Sequence, residues 1–410
     1  MRILLLSQWC PPEPENRVLN LGKALVKKGH QVTLITGFPN YPTGKIYPGY
    51  KQRLWQRETQ GGVNIVRLPL YPDHSRSSIG RALTYLTFSM SAFLLGPFVS
   101  GKADVLWVYH PPLTIGIPAI WISLLRRVPF VYEIQDMWPE AVTASGMVNS
   151  SLPIRMLGAL ARFIYRRAAA ITVISNGFKQ NLISKGVPAE KIAIVPNWAD
   201  EAVYFPVEAD AEFGARHQLD GSFNVIFAGT MGPGQNLDTV LDAAKLLLDL
   251  PDVRFVFIGD GLDLAHLKAR VNDEQITTVR FIDRQPASLM PSFFAWAGAL
   301  LVQLRNDPIF HMTIPSKTLA YLACGAPILC AVPGDGAGVV KEAGAGIVCP
   351  PDDPHSLADA VRQMYAMPAE ARAAMGDAGR QAYLERFTCE TSVTKIEALL
   401  NAAVRQKQRR

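Results

Sequence analysis

The chain has 410 residues, 49% of them hydrophobic and 19% charged, with a formal net charge of +6. That length and apolar fraction suffice for two or three well-built cores and exclude a disordered chain. Residues 1 to 200 hold 22 Lys and Arg against 10 Asp and Glu, a balance of +12, which leaves −6 for the remainder. A basic half suits an anionic membrane surface, a phosphorylated substrate or nucleic acid. With no zinc-finger spacing and no aromatic RNA-binding signature, nucleic acid is not expected. The five cysteines, Cys10, Cys324, Cys330, Cys349 and Cys389, are scattered and never form C-x-x-C. They argue against a disulfide framework or structural metal and predict a reducing, cytoplasmic setting. The apolar run Ile3 to Leu6 after Met1-Arg2 is too short for a secretory signal and fits a first strand.

In chain order, Arg2 to Ser7 reads as a strand, Gln8 to Asn16 as a loop with three prolines, Arg17 to Lys28 as a helix ended by Gly29, and Val32 to Thr36 as the next strand. This β-loop-α-β opening predicts a parallel sheet whose ligand crevice lies at the carboxyl ends of the strands. No G-x-G-x-x-G follows the first strand, so a dinucleotide cofactor is not expected, and none other is implied. Gly37 to Tyr50, GFPNYPTGKIYPGY, is a long loop at the same edge. Val63 to Leu68, Val105 to Tyr109, Phe130 to Ile134, Ile171 to Ser175 and Ile192 to Pro196 are further strands. After the third of these comes Gln135-Asp136-Met137-Trp138-Pro139-Glu140.

Ala82 to Gly101 carries no charge and is bounded by Arg81 and Lys102. Its Thr and Ser content and the helix-breaking Gly96-Pro97 argue against a transmembrane span. With Arg76 and Arg81 adjoining, two readings stay equally open, a buried helix under the sheet and a helix in a membrane interface. A second basic patch, Arg155, Arg162, Arg166 and Arg167, lies on a helix that also carries Leu157, Leu160, Phe163 and Ile164.

A hinge is expected near residues 198 to 206, and a second alternating series follows. Its strands are Asn224 to Ala228, Arg254 to Ile258, Val279 to Ile282, Ala299 to Val302 and Ile328 to Val332, with a helix over Leu237 to Leu248. The reading is α/β with two Rossmann-like doubly wound domains facing across a cleft, residues 1–198 and 199–385. Residues 386–410 form a helix returning to the first domain and a basic tail, Lys407, Arg409 and Arg410.

The stretch Ile314 to Leu329, IPSKTLAYLACGAPIL, combines an anion-facing turn, a short helix and a buried strand. Pro315 suits a first helical turn, and Ser316 and Lys317 would point N–H groups, a hydroxyl and an ammonium at one spot. Gly229, Thr230, Gly232 and Gln235 follow one strand; Gly261, Arg284 and Arg305 follow others. Such a row of Gly, Arg, Lys and hydroxyl groups at adjacent strand ends is the composition expected around a nucleoside diphosphate.

These motifs resemble the GT-B glycosyltransferases of glycosyltransferase family 4 over nearly the whole chain. The matching segments are P-P-E at Pro11 to Glu13, G-H-x-V-T-L-I-T at Gly29 to Thr36, P-N-W at Pro196 to Trp198, F-A-G at Phe227 to Gly229, I-G-D-G at Ile258 to Gly261 and A-C-G-x-P-I at Ala323 to Ile328. GFPNYPTGKIYPGY, Q-D-M-W-P-E and I-P-S-K-T-L-A-Y-L-A-C-G are similar to a bacterial surface-polysaccharide subgroup that includes WbuB-type N-acetyl-L-fucosamine transferases. The resemblance implies donor binding by the second domain, acceptor binding by the first, and transfer with retention. It also implies a UDP-linked donor, an N-acetylated deoxy-hexosamine, a lipid-linked saccharide acceptor and peripheral contact with the inner face of the plasma membrane. The sequence departs from the family pattern at its paired glutamates, which fall at Met312 and Ala320. The family's Arg and Lys after the first strand correspond to Thr230 and a position near Gln235, and its first-domain His to Gln135, leaving Asp136.

A departing nucleoside diphosphate needs cationic and N–H stabilisation, which Lys317 and Ser316 with Arg284 or Arg305 can supply, and Tyr321 belongs to the same helix. No D-x-D occurs in a plausible loop, so no metal is expected. An acceptor hydroxyl needs a proton sink; Asp136 leads, with Glu15, Arg17, His110 and Glu140 on the acceptor side. The alternatives are a non-catalytic nucleotide-sugar or polysaccharide-binding protein and a GT-B sugar-nucleotide epimerase. Phe310, His311, Met312 and Ile314 offer an apolar edge suited to a sugar with a methyl in place of a hydroxymethyl, or else pack between domains.

Overall fold

The computed structural model describes residues 1–73, 78–144 and 150–408; Arg76, Arg409 and Arg410 lie outside the described residues. The chain divides into two compact units, Met1–Val195 with Ser392–Arg410, and Pro196–Thr391.

Unit 1 is an eight-stranded sheet of β1 (Arg2–Leu6), β2 (Gln31–Gly37), β3 (Gln56–Gln60), β4 (Val63–Leu68), β5 (Val105–His110), β6 (Phe130–Ile134), β7 (Ala170–Val173) and β8 (Ile192–Ile194), in the order β3-β4-β2-β1-β5-β6-β7-β8. All its pairings are parallel except β3 with β4. The central strands are continuous apolar runs because helices cover both faces. Its first helices are α1 (Arg17–Lys27), α2 (Ser78–Val99), α3 (Gly116–Arg126), α4 (Glu140–Ala144) and α5 (Ser151–Arg167). α1 buries Val18, Leu19, Leu21 and Leu25 on one face.

One strand has no counterpart in the sequence reading, and one sequence expectation needs correction. The polar segment Gln56–Gln60 does not read as a strand, yet Gly61-Gly62 closes a two-residue hairpin that pairs Gln60 with Val63. Gly96-Pro97 does not end the helix, which continues to Val99. Gly96 leaves room for Ile122 of α3, and Arg126 and Arg57 donate to the Pro97 and Val99 carbonyls that a helix end leaves open.

Unit 2 is a parallel sheet of β9 (Phe223–Ala228), β10 (Val253–Ile258), β11 (Val279–Ile282), β12 (Ala297–Gln303), β13 (Ile328–Ala331) and β14 (Gly346–Val348), ordered β11-β10-β9-β12-β13-β14. Apolar clusters pack on both faces, one around Ile226, Leu300 and Leu322, the other around Phe227, Leu301 and Leu357. The helix after β9 runs Asp238–Lys245, shorter than the apolar pattern suggests, and β14 has no counterpart in the sequence reading. The last helix, Cys389–Gln408, packs on unit 1, where Glu397 meets Lys28 and His30.

Candidate active site

In unit 2 the strand order reverses direction between β9 and β12, and a ligand crevice in such a sheet opens at the carboxyl ends of those strands. The loop after β9 begins at Gly229 and is packed tightly against the loop after β10. Gly259 and Gly261 have φ of 145° and 159°, and a Cβ on either would lie 2.1 Å from the Gly229 carbonyl oxygen or 2.0 Å from that of Met231. Only glycine fits there, which explains the I-G-D-G sequence by local packing.

Lys317, in the first turn of the helix Ser316–Cys324, reaches over this loop. Its Nζ lies 3.4 Å from the centroid of the Phe227 ring and would be 3.1 Å from a Cβ at Gly229. The residue as a whole is half-buried, but Nζ is out of solvent and has no hydrogen-bond partner among the described residues. Burial pushes its pKa down to about 7. Among the described residues no side chain caps the helix, which starts at Ser316 after Pro315, and Ser316 is exposed. The Thr318 hydroxyl and the Gln303 side-chain amide are also buried without partners among the described residues. A buried amine with no hydrogen-bond partner among the described residues, above a helix start that no side chain among them caps, has the charge and geometry that an anion site requires.

The other residues expected around a donor divide into two groups. Thr230 is exposed, Gly232 is buried, and the Arg305 N–H donates to the Gly234 carbonyl, so these flank the same loop. Arg284 is exposed after β11, two strands from β9, or roughly 10 Å at ordinary strand spacing. Gln235 spends its side-chain oxygen on the Gly232 N–H at 3.1 Å. Tyr321 is a correction: it is fully buried, its hydroxyl accepts the Ala228 N–H at 3.1 Å, and its ring meets Phe294. It holds the end of β9 in place and has no ligand-facing surface. Phe310 and Ile314 lean on the core of unit 2, and His311 bonds Asn306.

In unit 1 the corresponding switch lies between β1 and β5. Glu15 accepts the Arg17 N–H at 2.9 Å, and burial raises its pKa. Arg17 pairs with Glu133 of β6 at 2.6 Å, and Glu133 also accepts from Trp107 at 3.1 Å and Gln135 at 2.8 Å. Sequence reasoning missed Glu133; the signal was a carboxylate inside the otherwise apolar F-V-Y-E-I strand. Asp136 is solvent-accessible, yet the protein crowding around it raises its pKa by desolvation. Half-buried Trp9, Tyr41, Tyr85 and Trp138 form a chain of ring contacts along this edge.

Two acceptor-side expectations are corrected. His110 is fully buried between Tyr132 and Trp138, with neither ring nitrogen partnered among the described residues. Burial pushes its pKa down to about 3, so it is a neutral core residue and does not present a base to a substrate. Glu140 starts α4 and pairs with Lys185 at 2.5 Å, which takes it out of the reacting edge. The buried Glu13 was read only as part of P-P-E. It accepts the N–H groups of Cys10, Asn40 and Tyr41, and so fastens the proline loop to the tyrosine-rich loop. Among the described residues no group of three or more His, Cys, Asp or Glu is placed to hold a metal.

Residues 14–198 match the family described as Glycosyl transferase 4-like domain, and residues 210–382 match Glycosyl transferases group 1. The chain is 27% identical over 363 residues to the putative colanic acid biosynthesis glycosyl transferase WcaI of Escherichia coli, covering 84% of this chain and 86% of that protein. It is 30% identical over 234 residues to the probable glycosyltransferase WbjE of Pseudomonas aeruginosa, 56% of this chain and 58% of that one. Among solved structures, Anabaena HepE in complex with UDP superposes with a TM-score of 0.72 at 16% identity, over 98% of this chain and 100% of that chain.

Proposed function

For a chain that is a glycosyltransferase of GT-B fold with a glycosyltransferase domain in each half, we propose that unit 2 binds a UDP-sugar through Lys317 and the start of the Ser316–Cys324 helix. Unit 1 supplies the acceptor edge, and the sugar moves with retention to a lipid-linked saccharide in surface-polysaccharide synthesis. The observation that carries the donor half is the Lys317 amine, buried beside Gly229 without a hydrogen-bond partner among the described residues. A pyrophosphate would supply the missing charge. As the bond from the anomeric carbon to the β-phosphate oxygen breaks, negative charge grows on that oxygen, and a fixed cation in a dry site stabilises it.

Asp136 is the proposed acceptor of the incoming hydroxyl's proton, being solvent-accessible and raised in pKa toward the range useful for a base. The UDP ligand of HepE and the polysaccharide role in WcaI's name support the donor and the biological setting. The scattered cysteines, none of them in C-x-x-C, support a cytoplasmic setting. The sugar we favour is N-acetyl-L-fucosamine or a related deoxy-amino sugar, because Met312 stands where the resembled family offers a sugar-binding glutamate.

That same substitution, with Ala320 at the second glutamate position, favours one other reading, a nucleotide-sugar-binding protein without transferase activity. Transfer assays with a panel of UDP- and GDP-sugars and a lipid-linked acceptor separate the two. Turnover with a UDP-linked deoxy-amino sugar is expected. Preferred turnover of UDP-glucose or a GDP-sugar would overturn the donor assignment, and UDP binding without any transfer would favour the second reading.

A further inference from the structure

Away from both sheet edges, the outer surface of α2 is left without an explanation. Every exposed position of this helix among the described residues is a large hydrophobe: Ile79, Leu83, Leu86, Met90, Leu94 and Phe98. Steps of three and four residues keep them on one stripe, roughly 120° wide and about 30 Å long for an α-helix. The opposite face belongs to unit 1: Phe88 and Ala92 are fully buried, and the Ser89 hydroxyl donates to the Thr114 carbonyl at 2.8 Å. The helix is long and apolar enough to cross a membrane by length and composition alone. One face committed to a domain core means that it lies along a surface instead.

α3 widens the stripe. Its Trp121 stacks on Phe93 of α2 with centroids 5.0 Å apart, and Ile117, Leu124 and Leu125 are exposed. α5, which packs beside α3, interleaves exposed Leu152, Met156 and Phe163 with exposed Arg155, Arg162 and Arg166. Across α2, α3 and α5 there are six arginines and no Asp or Glu. A groove of about 470 Å³ adjoins this face, lined by Arg162, Tyr165, Arg166 and Lys185 among others, the lysine being paired with Glu140.

We propose that this face docks the chain on an anionic lipid bilayer, with the α2 and α3 stripe at the acyl boundary and the α5 arginines among headgroup phosphates. Exposed apolar area of this extent marks a binding surface, and arginines on three helices that carry no carboxylate of their own select a negatively charged one. A second copy of the chain would bring like charges together across the interface. The inference goes beyond the transfer reaction and uses unit 1 alone, so its failure leaves the donor reading untouched.

The test is co-flotation of the full chain, without sugar nucleotide, with vesicles of phosphatidylcholine alone or with roughly one-third phosphatidylglycerol, at low salt and at about 0.5 M salt. Binding to the anionic vesicles, weakened by salt, is expected. The triple variant Leu83→Glu, Met90→Glu, Leu94→Glu and the pair Arg155→Glu, Arg162→Glu should each reduce it by roughly tenfold or more. All five positions are exposed, so melting temperature should change little; should the triple variant not fold, quenching of the wild type by brominated acyl chains decides. That quenching should fall in Trp121→Phe. The proposal is overturned if the wild type stays unbound at low salt, if the folded glutamate variant floats like wild type, or if quenching is unchanged in Trp121→Phe. A self-association abolished by the same glutamates, with no lipid binding, would likewise overturn it.

Discussion

Lys317 and Phe227 are ninety residues apart in the chain, and the ammonium of one rests 3.4 Å from the ring centroid of the other. The ring quadrupole offsets part of the charge, but it accepts no conventional hydrogen bond, and Nζ makes none among the described residues. Replacing Lys317 by Ala should therefore weaken UDP binding by about 1.5 to 3 kcal/mol, the usual value of a charge-assisted hydrogen bond. Calorimetry reads this directly, and unchanged affinity would return Lys317 to a packing role.

The same ammonium predicts proton uptake on binding. With a folded pKa of about 7, Lys317 is mostly neutral at pH 8, while a pyrophosphate beside it favours the charged form. UDP binding at pH 8 should take up a proton, seen as a binding enthalpy that depends on the buffer's ionisation enthalpy, and uptake should be near zero at pH 5 or in Lys317→Met. The sign for stability follows from linkage. The unfolded chain binds more protons than the folded one between pH 7 and the ordinary lysine value of 10.5, so this group's contribution to the stability of the unliganded protein rises with pH across that window.

Much of the fold was legible because parallel strands buried on both faces are continuous apolar runs: β4, β6 and β11 begin and end where the sequence places them. β3 was not, since Gln56–Gln60 has no apolar face and is a strand only by pairing with β4 across the Gly61-Gly62 turn. Composition marks Ala82 to Gly101, most of α2, as an uncharged helix but cannot say which side is bare, because burial depends on where α3 and the sheet lie. The turn at Pro315 marks Lys317 as a candidate anion ligand. What desolvates it is Phe227, a contact no local pattern encodes. His110 was misread for the complementary reason: a strand end faces the crevice only if nothing covers it, and Trp138 and Tyr132 do.

Asp136→Asn should lower turnover far more than donor affinity, because a base acts on the acceptor hydroxyl in the transition state and touches no part of the nucleotide. Desolvation raises the Asp136 pKa, so the acid limb of the rate profile should lie above the ordinary carboxylate range, with activity rising as pH increases through it. Separate measurements of kcat, UDP affinity and melting temperature check this. Equal losses in all three would identify Asp136 as a structural group.

Glu133 is the carboxylate that ties together the β5–β6 edge of unit 1, the proposed acceptor side. It is 2% exposed and accepts from Arg17 at 2.6 Å, from Trp107 at 3.1 Å and from Gln135 at 2.8 Å, joining β5, β6 and the start of α1. Removing one member of a buried pair strands the charge of the other, which costs about 3 to 5 kcal/mol, whereas replacing both by apolar groups removes the desolvation penalty as well as the attraction. Glu133→Leu alone should therefore lower stability in urea by about that amount. Adding Arg17→Met should recover a large part of it, since the buried pair is then removed as a whole. The indole N–H of Trp107 stays unpaired in both variants, so recovery should stop short of wild type by about 1 to 3 kcal/mol. Full additivity of the two single losses would mean that the pair is not coupled and that Glu133 acts through Trp107 and Gln135 alone.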